Sequence, residues 1–218
     1  MIEFIGALYN ESDELGSLIQ HIKPYVDKIH FVNDGSTDDT LHWLRQWAYI
    51  LDDGSTCPLD YKTIEHTGLP ETVKAKALSM CQPDSWVIML DADERFAVGT
   101  LEQIVKFINS EESKDVTHVW FTLFEYIDGI QTKVFQKCRL FRAYAAHFSE
   151  RVHEDDLFDG SGANFDWIVI HRKSSSKQVA RELEYLETYR KLLDTGAINQ
   201  DRVNDLVSNH YFVKVPHG

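Results

Sequence analysis

Two acidic signatures each follow a strongly apolar run. Asn33-Asp34-Gly35-Ser36-Thr37-Asp38-Asp39-Thr40 comes after Ile29–Val32, and Asp91-Ala92-Asp93-Glu94 comes after Trp86–Leu90. Each run reads as a buried strand that delivers carboxylates to its carboxyl end. In an open α/β sheet that edge is where ligands bind. Carboxylates alone repel a phosphate, so the D-x-D spacing of Asp91 and Asp93 points to a divalent cation with open positions for diphosphate oxygens. The plain alternative is an acidic turn that caps the next helix. A calcium loop closing on Glu102 is disfavoured, because Arg95 stands where a ligand belongs and Phe96 where glycine is needed.

In the first signature Gly35 permits a tight turn, and Asp34 can accept hydrogen bonds from a base N–H or a ribose hydroxyl. The helix after Thr37 offers its N-terminus to an anion. Alone, this segment fits a turn with an N-cap equally well. The Asn10-Glu11 pair, one strand earlier, tips it toward a ligand. Neither a G-x-G-x-x-G nor a Walker loop occurs. A third cluster, Arg151-Val152-His153-Glu154-Asp155-Asp156, holds carboxylates that could take a proton from an acceptor hydroxyl. Glu154 is the first candidate and Asp155 its rival, although spacing alone fits a solvated acidic loop. Zinc-protease spacing fails, since Leu157 replaces the second histidine. His171 ends an apolar run, where an imidazole completes a metal shell or binds a phosphate; a lone histidine is more often structural. Lys74, Lys76, Arg139 and Arg142 are candidate diphosphate contacts or ordinary surface charges. Trp43, Trp47, Trp86 and Trp120 read as core, and Trp167 as either core or sugar platform.

These residues need strands and helices to position them. Ile2–Leu8 predicts a strand, and Ser12 or Asp13 caps a helix with Leu15, Leu18, Ile19 and Ile22 on one face. Ile29–Val32 is the next strand, and Thr37 or Asp38 caps a helix through Leu41, Leu44 and Trp47. Asp52-Asp53-Gly54-Ser55 is a turn, Tyr61–Glu65 a weak strand, and Thr72–Met80 a helix. Trp86–Leu90 is the central strand, and Thr100 opens a helix carrying Leu101, Ile104, Val105 and Ile108. This order predicts an α/β fold: a mostly parallel mixed sheet flanked by helices. After Ser110 the pattern changes to a hairpin, Val116–Tyr126 and Lys133–Phe141 around Asp128-Gly129. A loop rich in histidine and acid, His147–Gly162, comes next. Ile168–Ile170 is a short strand, and a long charged helix runs from Ser176 or Lys177 to Leu193, with a shorter one after it. A single domain over 1–218 is expected, with 1–110 as the ligand half and 111–218 as the acceptor-side half.

The chain has 218 residues, enough for one domain with a sizeable core. Its net charge of -13 disfavours a broad nucleic-acid face or an anionic membrane surface. Three cysteines without CxxC spacing read as free thiols in a reducing compartment. Neither a signal peptide nor a membrane-spanning run is seen, so a cytoplasmic location is expected, with peripheral membrane contact left open.

Tyr9-Asn10-Glu11, Val32–Thr40 and Leu90–Glu94, in that order, resemble the family-2 glycosyltransferases of GT-A (Rossmann-like) fold. Arg139-Leu140-Phe141-Arg142 followed by Val152-His153-Glu154 resembles the branch that includes lipopolysaccharide-core glucosyltransferases. The resemblance implies inverting transfer from a nucleotide-diphosphate sugar to a glycan or glycolipid hydroxyl. Glu11 and Asp34 would then hold the nucleoside, Asp91 would lie near the ribose or metal, and Asp93 would ligate Mg or Mn. Glu154 would be the base, and His171 would sit near the diphosphate. The chain departs from that branch at Lys74-Ala75-Lys76-Ala77-Leu78, where an Arg-Asn pair is usual. Lys74 keeps the charge but the amide is gone. The rival readings are a metal-dependent nucleotidyltransferase, a non-catalytic nucleotide-sugar-binding module, and an ordinary structural protein.

Overall fold

The computed structural model describes residues 1–52, 57–148, 157–198 and 200–201. Apolar residues at helical and alternating spacing set its elements. β1 (Ile2–Leu8) leads to α1 (Ser12–Ile22), β2 (Lys28–Asn33), α2 (Thr40–Leu51), β3 (Leu59–Thr63), α3 (Pro70–Leu78) and β4 (Trp86–Met89). A short strand β5 (Glu94–Phe96) precedes α4 (Thr100–Ile108). The hairpin β6 (His118–Ile127) and β7 (Ile130–Arg142) comes next, then the two-residue strands β8 (Ala146–His147) and β9 (Leu157–Phe158), β10 (Gly162–Lys173) and α5 (Ser175–Asp194).

Eight strands form one mixed sheet in the order β3-β2-β1-β4-β7-β6-β10-β5, while β8 and β9 pair separately. β1, β2, β3 and β4 are mutually parallel; β7 runs antiparallel to both β4 and β6, and β5 antiparallel to β10. The fold class is the expected α/β sheet flanked by helices. The later hairpin extends the parallel sheet, which continues unbroken past residue 110. The described residues up to Arg172 form one compact unit and those from Lys173 onward another.

Alternation along the strands divides the core between the two sheet faces. Phe4, Phe31, Ile88 and Leu90 face a cluster with Leu15, Leu18, Ile19 and Leu44 from α1 and α2 and Leu101 and Ile104 from α4. Ile5, Val32, Val87 and Met89 face the other way, onto Val73 and Ala77 of α3. Each such fully buried side chain contributes about 1.5–3 kcal/mol relative to exposure.

Several local expectations are corrected. Glu11, not Ser12 or Asp13, occupies the cap position of α1, and α2 begins only after Asp39, with the Asp38 carboxylate accepting from the N–H of its first residue, Thr40, at 2.9 Å. β10 starts at Gly162, six residues earlier than its apolar stretch suggests, because Ala163, Phe165 and Trp167 alternate with exposed residues and pack on the core. Trp43 is exposed rather than core, whereas Trp86 is buried. Trp167 stacks on Phe165 and packs edge-on to Phe107, which makes it a core residue. Within the second unit, the Ser174 hydroxyl caps α5 by accepting from the Lys177 N–H, and Tyr185 stacks on Tyr189. All three cysteines are free.

Candidate active site

The carboxyl ends of β1, β2 and β4 carry the first groups. Asn10 adopts a left-handed backbone (φ 55°), which turns its side chain toward the loop after β2. There its Oδ1 accepts from the N–H groups of Thr37 (2.8 Å) and Asp38 (3.3 Å). In return Thr40 Oγ1 accepts from the Glu11 N–H at 2.8 Å, and Asp38 from the Ser12 N–H at 3.2 Å. The two signature loops therefore lock together, with Glu11 buried between them.

Asp34 is also buried. Its Oδ1 accepts from the Thr67 N–H (2.8 Å) and hydroxyl (3.0 Å), and its Oδ2 from the Gly68 N–H (3.3 Å). His66 Nδ1 lies 3.0 Å from the same Oδ2, and the His66 ring stacks on Tyr9 at 4.1 Å. These contacts take up most of the carboxylate's acceptor capacity. Asp34 thus anchors the segment after β3 as well as facing the ligand edge. Gly35 (φ 66°) makes the approach feasible, since a Cβ there would stand 2.8 Å from the backbone nitrogen of His66.

The D-x-D turn follows β4, on the other side of β1. Glu94 Oε2 accepts the Asp91 N–H at 3.0 Å and closes the turn. Its other oxygen pairs with Arg139, and neither side chain is exposed to solvent. The same Arg139 nitrogen reaches Asp91 Oδ2 at 3.2 Å. Burial alone would raise the Asp91 carboxyl. Arg139, with Lys137, Lys74 and His171 behind it, outweighs that and holds Asp91 well below the usual carboxylate range. Lys137 in turn is pulled down, first by the neighbouring Arg139 charge and then by burial. Arg95 ties the turn to α1: it donates to the Ala92 carbonyl at 2.7 Å and to Glu14 Oε2 at 3.1 Å.

β10 supplies the last group. Its pairing with β5 sets His171 opposite Glu94. His171 is buried, and its Nε2 lies 2.9 Å from Asp93 Oδ1 yet makes no hydrogen bond. Glu94 Oε1 stands 3.8 Å from the other ring nitrogen.

The structure therefore brings together Asp91, Asp93, His171, Lys74 and Arg139, with Glu11 and Asp34 on the same sheet edge. It sets Arg142 apart. Arg142 pairs with Trp86 at the start of β4, stacks over its ring at 4.2 Å and donates to the Asp84 carbonyl. At roughly 3.3 Å per residue this is about 16 Å from Asp91, so Arg142 is corrected to a packing role. Glu154 and Asp155 lie outside the described residues. Sequence reasoning missed Glu94, Arg95 and Lys137 as site residues. The signal for Lys137 was present, because Lys137-x-Arg139 on a strand puts both cations on one face.

The family described as "Glycosyl transferase family 2" matches residues 5–143, and the chain belongs to it. No curated protein matches. Among solved structures the chain is similar to S. aureus TarS 1-349 in complex with UDP-GlcNAc (19% identity, 61% of this chain and 36% of that one, TM-score 0.45). It is also similar to the mannosyltransferase PcManGT from Pyrobaculum calidifontis in complex with GDP-Man and Mn2+ (23% identity, 54% and 34%, TM-score 0.46). A third is GalNAc-T7 with UDP, GalNAc and Mn2+ (12% identity, 79% and 44%, TM-score 0.55), a likeness of GT-A fold. The chain spans less than half the length of each of these proteins. Among the described residues no helix is long and apolar enough to cross a membrane.

Proposed function

We propose that this chain is an inverting glycosyltransferase that moves a sugar from a nucleotide-diphosphate sugar to the hydroxyl of a glycan or glycolipid acceptor, in surface-polysaccharide or lipopolysaccharide-type synthesis. The observation that carries the reading is the buried His171–Asp93 pair beside the Arg139-bound Asp91, at the ligand edge of a family-2 sheet.

The residues fit a divalent cation. Ligands about 2.1 Å from an octahedral Mg or Mn stand about 3.0 Å apart, and Asp93 Oδ1 and His171 Nε2 stand 2.9 Å apart with the imidazole nitrogen left without a hydrogen bond. Asp93 and His171 would hold the ion, while Asp91, already paired with Arg139, would lie near the ribose. A bound cation would neutralise charge on a leaving nucleoside diphosphate. The chain's own groups do the rest. Arg139 fixes the Asp91 carboxylate, Lys74 and Lys137 add positive potential for diphosphate oxygens, and Glu94 holds the turn. Glu11 and Asp34 bind the nucleoside side, Asp34 partly through the 66–68 segment that it anchors. Glu154, with Asp155 as rival, takes the acceptor proton as the bond to the anomeric carbon forms.

A thermal-shift screen of nucleoside diphosphates and nucleotide sugars, with and without Mn, tests the reading, because ligands that bind the folded state raise Tm. A Mn-dependent rise with UDP, GDP or their sugars, together with sugar transfer or slow donor hydrolysis, is expected. Binding without turnover would instead indicate a nucleotide-sugar-binding module. Pyrophosphate release from a nucleoside triphosphate would indicate a nucleotidyltransferase.

A further inference from the structure

A second group of metal-ligating side chains lies at the other end of the sheet. Glu3 starts β1, His30 lies within β2, and Cys81 follows α3. One ligand atom from each, a carboxylate oxygen, an imidazole nitrogen and Sγ, fall within 4.8 Å of one another. In β4, Val87 pairs with Glu3. The group therefore sits four residues down that strand from Asp91, about 13 Å away at roughly 3.3 Å per residue.

Glu3 and His30 are buried, at 1% and 0% exposure, and Cys81 is half-buried. Glu3 Oε2 stands 3.2 Å from His30 Nε2. The Gln82 N–H (3.2 Å) and the Ser85 hydroxyl (3.2 Å) also donate to this carboxylate. Burial lowers the His30 imidazole. Burial and the contact with Glu3 push the Cys81 thiol far up. Lys28, the adjacent cation, is paired with Asp60 at 2.6 Å. A buried carboxylate, a buried imidazole and a thiol thus converge on one point, an arrangement that favours a positive charge at its centre.

We propose that Glu3, His30 and Cys81 form a structural transition-metal site of zinc class, distinct from the Asp91-Asp93-His171 edge. One sulfur, one imidazole and one carboxylate suit Zn(II) or Co(II) better than Mg or Mn. Tetrahedral bonds of about 2.0–2.3 Å set neighbouring ligand atoms roughly 3.3–3.8 Å apart, close to the Glu3–His30 separation. On binding, the Cys81 thiol gives its proton to solvent and sulfur bonds to the metal, with no change of oxidation state. Gln82 and Ser85 remain as donors that orient the carboxylate. The half-buried Cys81 side leaves a fourth position to water. The ion ties the start of β1, the middle of β2 and the turn before β4 into one unit.

The test is Co(II) titration of the metal-stripped full chain, followed by absorption. Wild type is expected to show a thiolate-to-cobalt charge-transfer band that saturates at about one equivalent, with tetrahedral visible bands. D93N/H171A should keep that band, which separates this site from the other one. C81S should lose it, and E3Q should weaken Co(II) binding at least about tenfold, each with wild-type far-UV circular dichroism. Absence of the band in folded wild type overturns the proposal, as does its persistence in folded C81S. Should C81S fail to fold, E3Q decides the matter alone. Equal Co(II) affinity in folded E3Q and wild type leaves a hydrogen-bonded triad with no metal.

Discussion

Arg139 on β7 and Glu94 on β5 form an ion pair from which solvent is fully excluded, and the same guanidinium reaches Asp91. Removing one partner of such a pair leaves a buried charge uncompensated, at a cost of about 3–5 kcal/mol. Arg139→Met should therefore lower Tm by roughly 6–20 °C for a chain of this size. Glu94→Gln should do less damage, because Asp91 still pairs with the guanidinium. Calorimetry of the two variants checks the order, and a fall of under about 1 kcal/mol for Arg139→Met would show that the pair behaves as an exposed one.

Asp93→Asn and His171→Gln should each weaken Mn-dependent nucleoside-diphosphate binding at least about tenfold while Tm without ligand changes little. Isothermal titration with and without Mn reads both effects. Unchanged affinity in either variant removes that residue from the metal shell.

Glu154→Gln should keep donor affinity and stop transfer. Wild-type turnover in this variant moves the base to Asp155, to be checked in the same assay with Asp155→Asn.

Gly35→Ala adds a Cβ 2.8 Å from the backbone nitrogen of His66 at a backbone angle of φ 66°. The strain should cost about 1–3 kcal/mol and push the 66–68 segment off Asp34. Both Tm and nucleotide affinity should fall. If affinity holds while Tm drops, that segment lies away from the nucleoside.

Stability should depend on pH in two windows. Burial lowers His21, His30 and His118 below the ordinary imidazole value, with Arg95 adding to the effect at His21. A depressed folded-state pKa means that the unfolded chain takes up protons first. Stability is then full above about pH 6.5 and declines as pH falls through the folded values. The second decline is led by Asp91, with Asp38, against its desolvation, and Glu102 also lowered, each by its hydrogen bonds. The lowered Asp91 carboxyl contributes stability above about pH 4 that is lost as pH falls further. Urea midpoints from pH 8 to pH 3 should show both falls, and a flat profile between pH 7.5 and 5.5 would contradict the histidine burial.

Much of the fold is legible in the sequence because periodicity reports burial. Phe4/Ile5 and Phe31/Val32 alternate between two cores, and Leu15, Leu18, Ile19 and Ile22 recur at helical spacing. The D-x-D turn is legible for the same reason, since Trp86–Met89 is buried on both faces. What stays hidden depends on contacts distant in sequence. Glu94–Phe96 is too short to read as a strand and exists because β10 pairs with it. The acidic type of Asp34 shows in the chain, but its grip on Thr67 and Gly68 does not. Arg139 and Arg142 look equivalent on paper. They sit three positions apart on one strand, so the fold sends one to the ligand edge and the other to the far end of β4.

The His171–Glu94 register has a consequence for how this chain tolerates change in length. Successive residues of a strand point to opposite faces, so a slip by a single position turns every side chain over. One residue gained or lost between Phe165 and Ile170 would swing the imidazole to the wrong side of the sheet, and restoring it would take a compensating indel in the same stretch. Even-numbered changes would displace it by a whole repeat, about 7 Å along the strand. The stretch leading into His171 is therefore a ruler whose length is fixed.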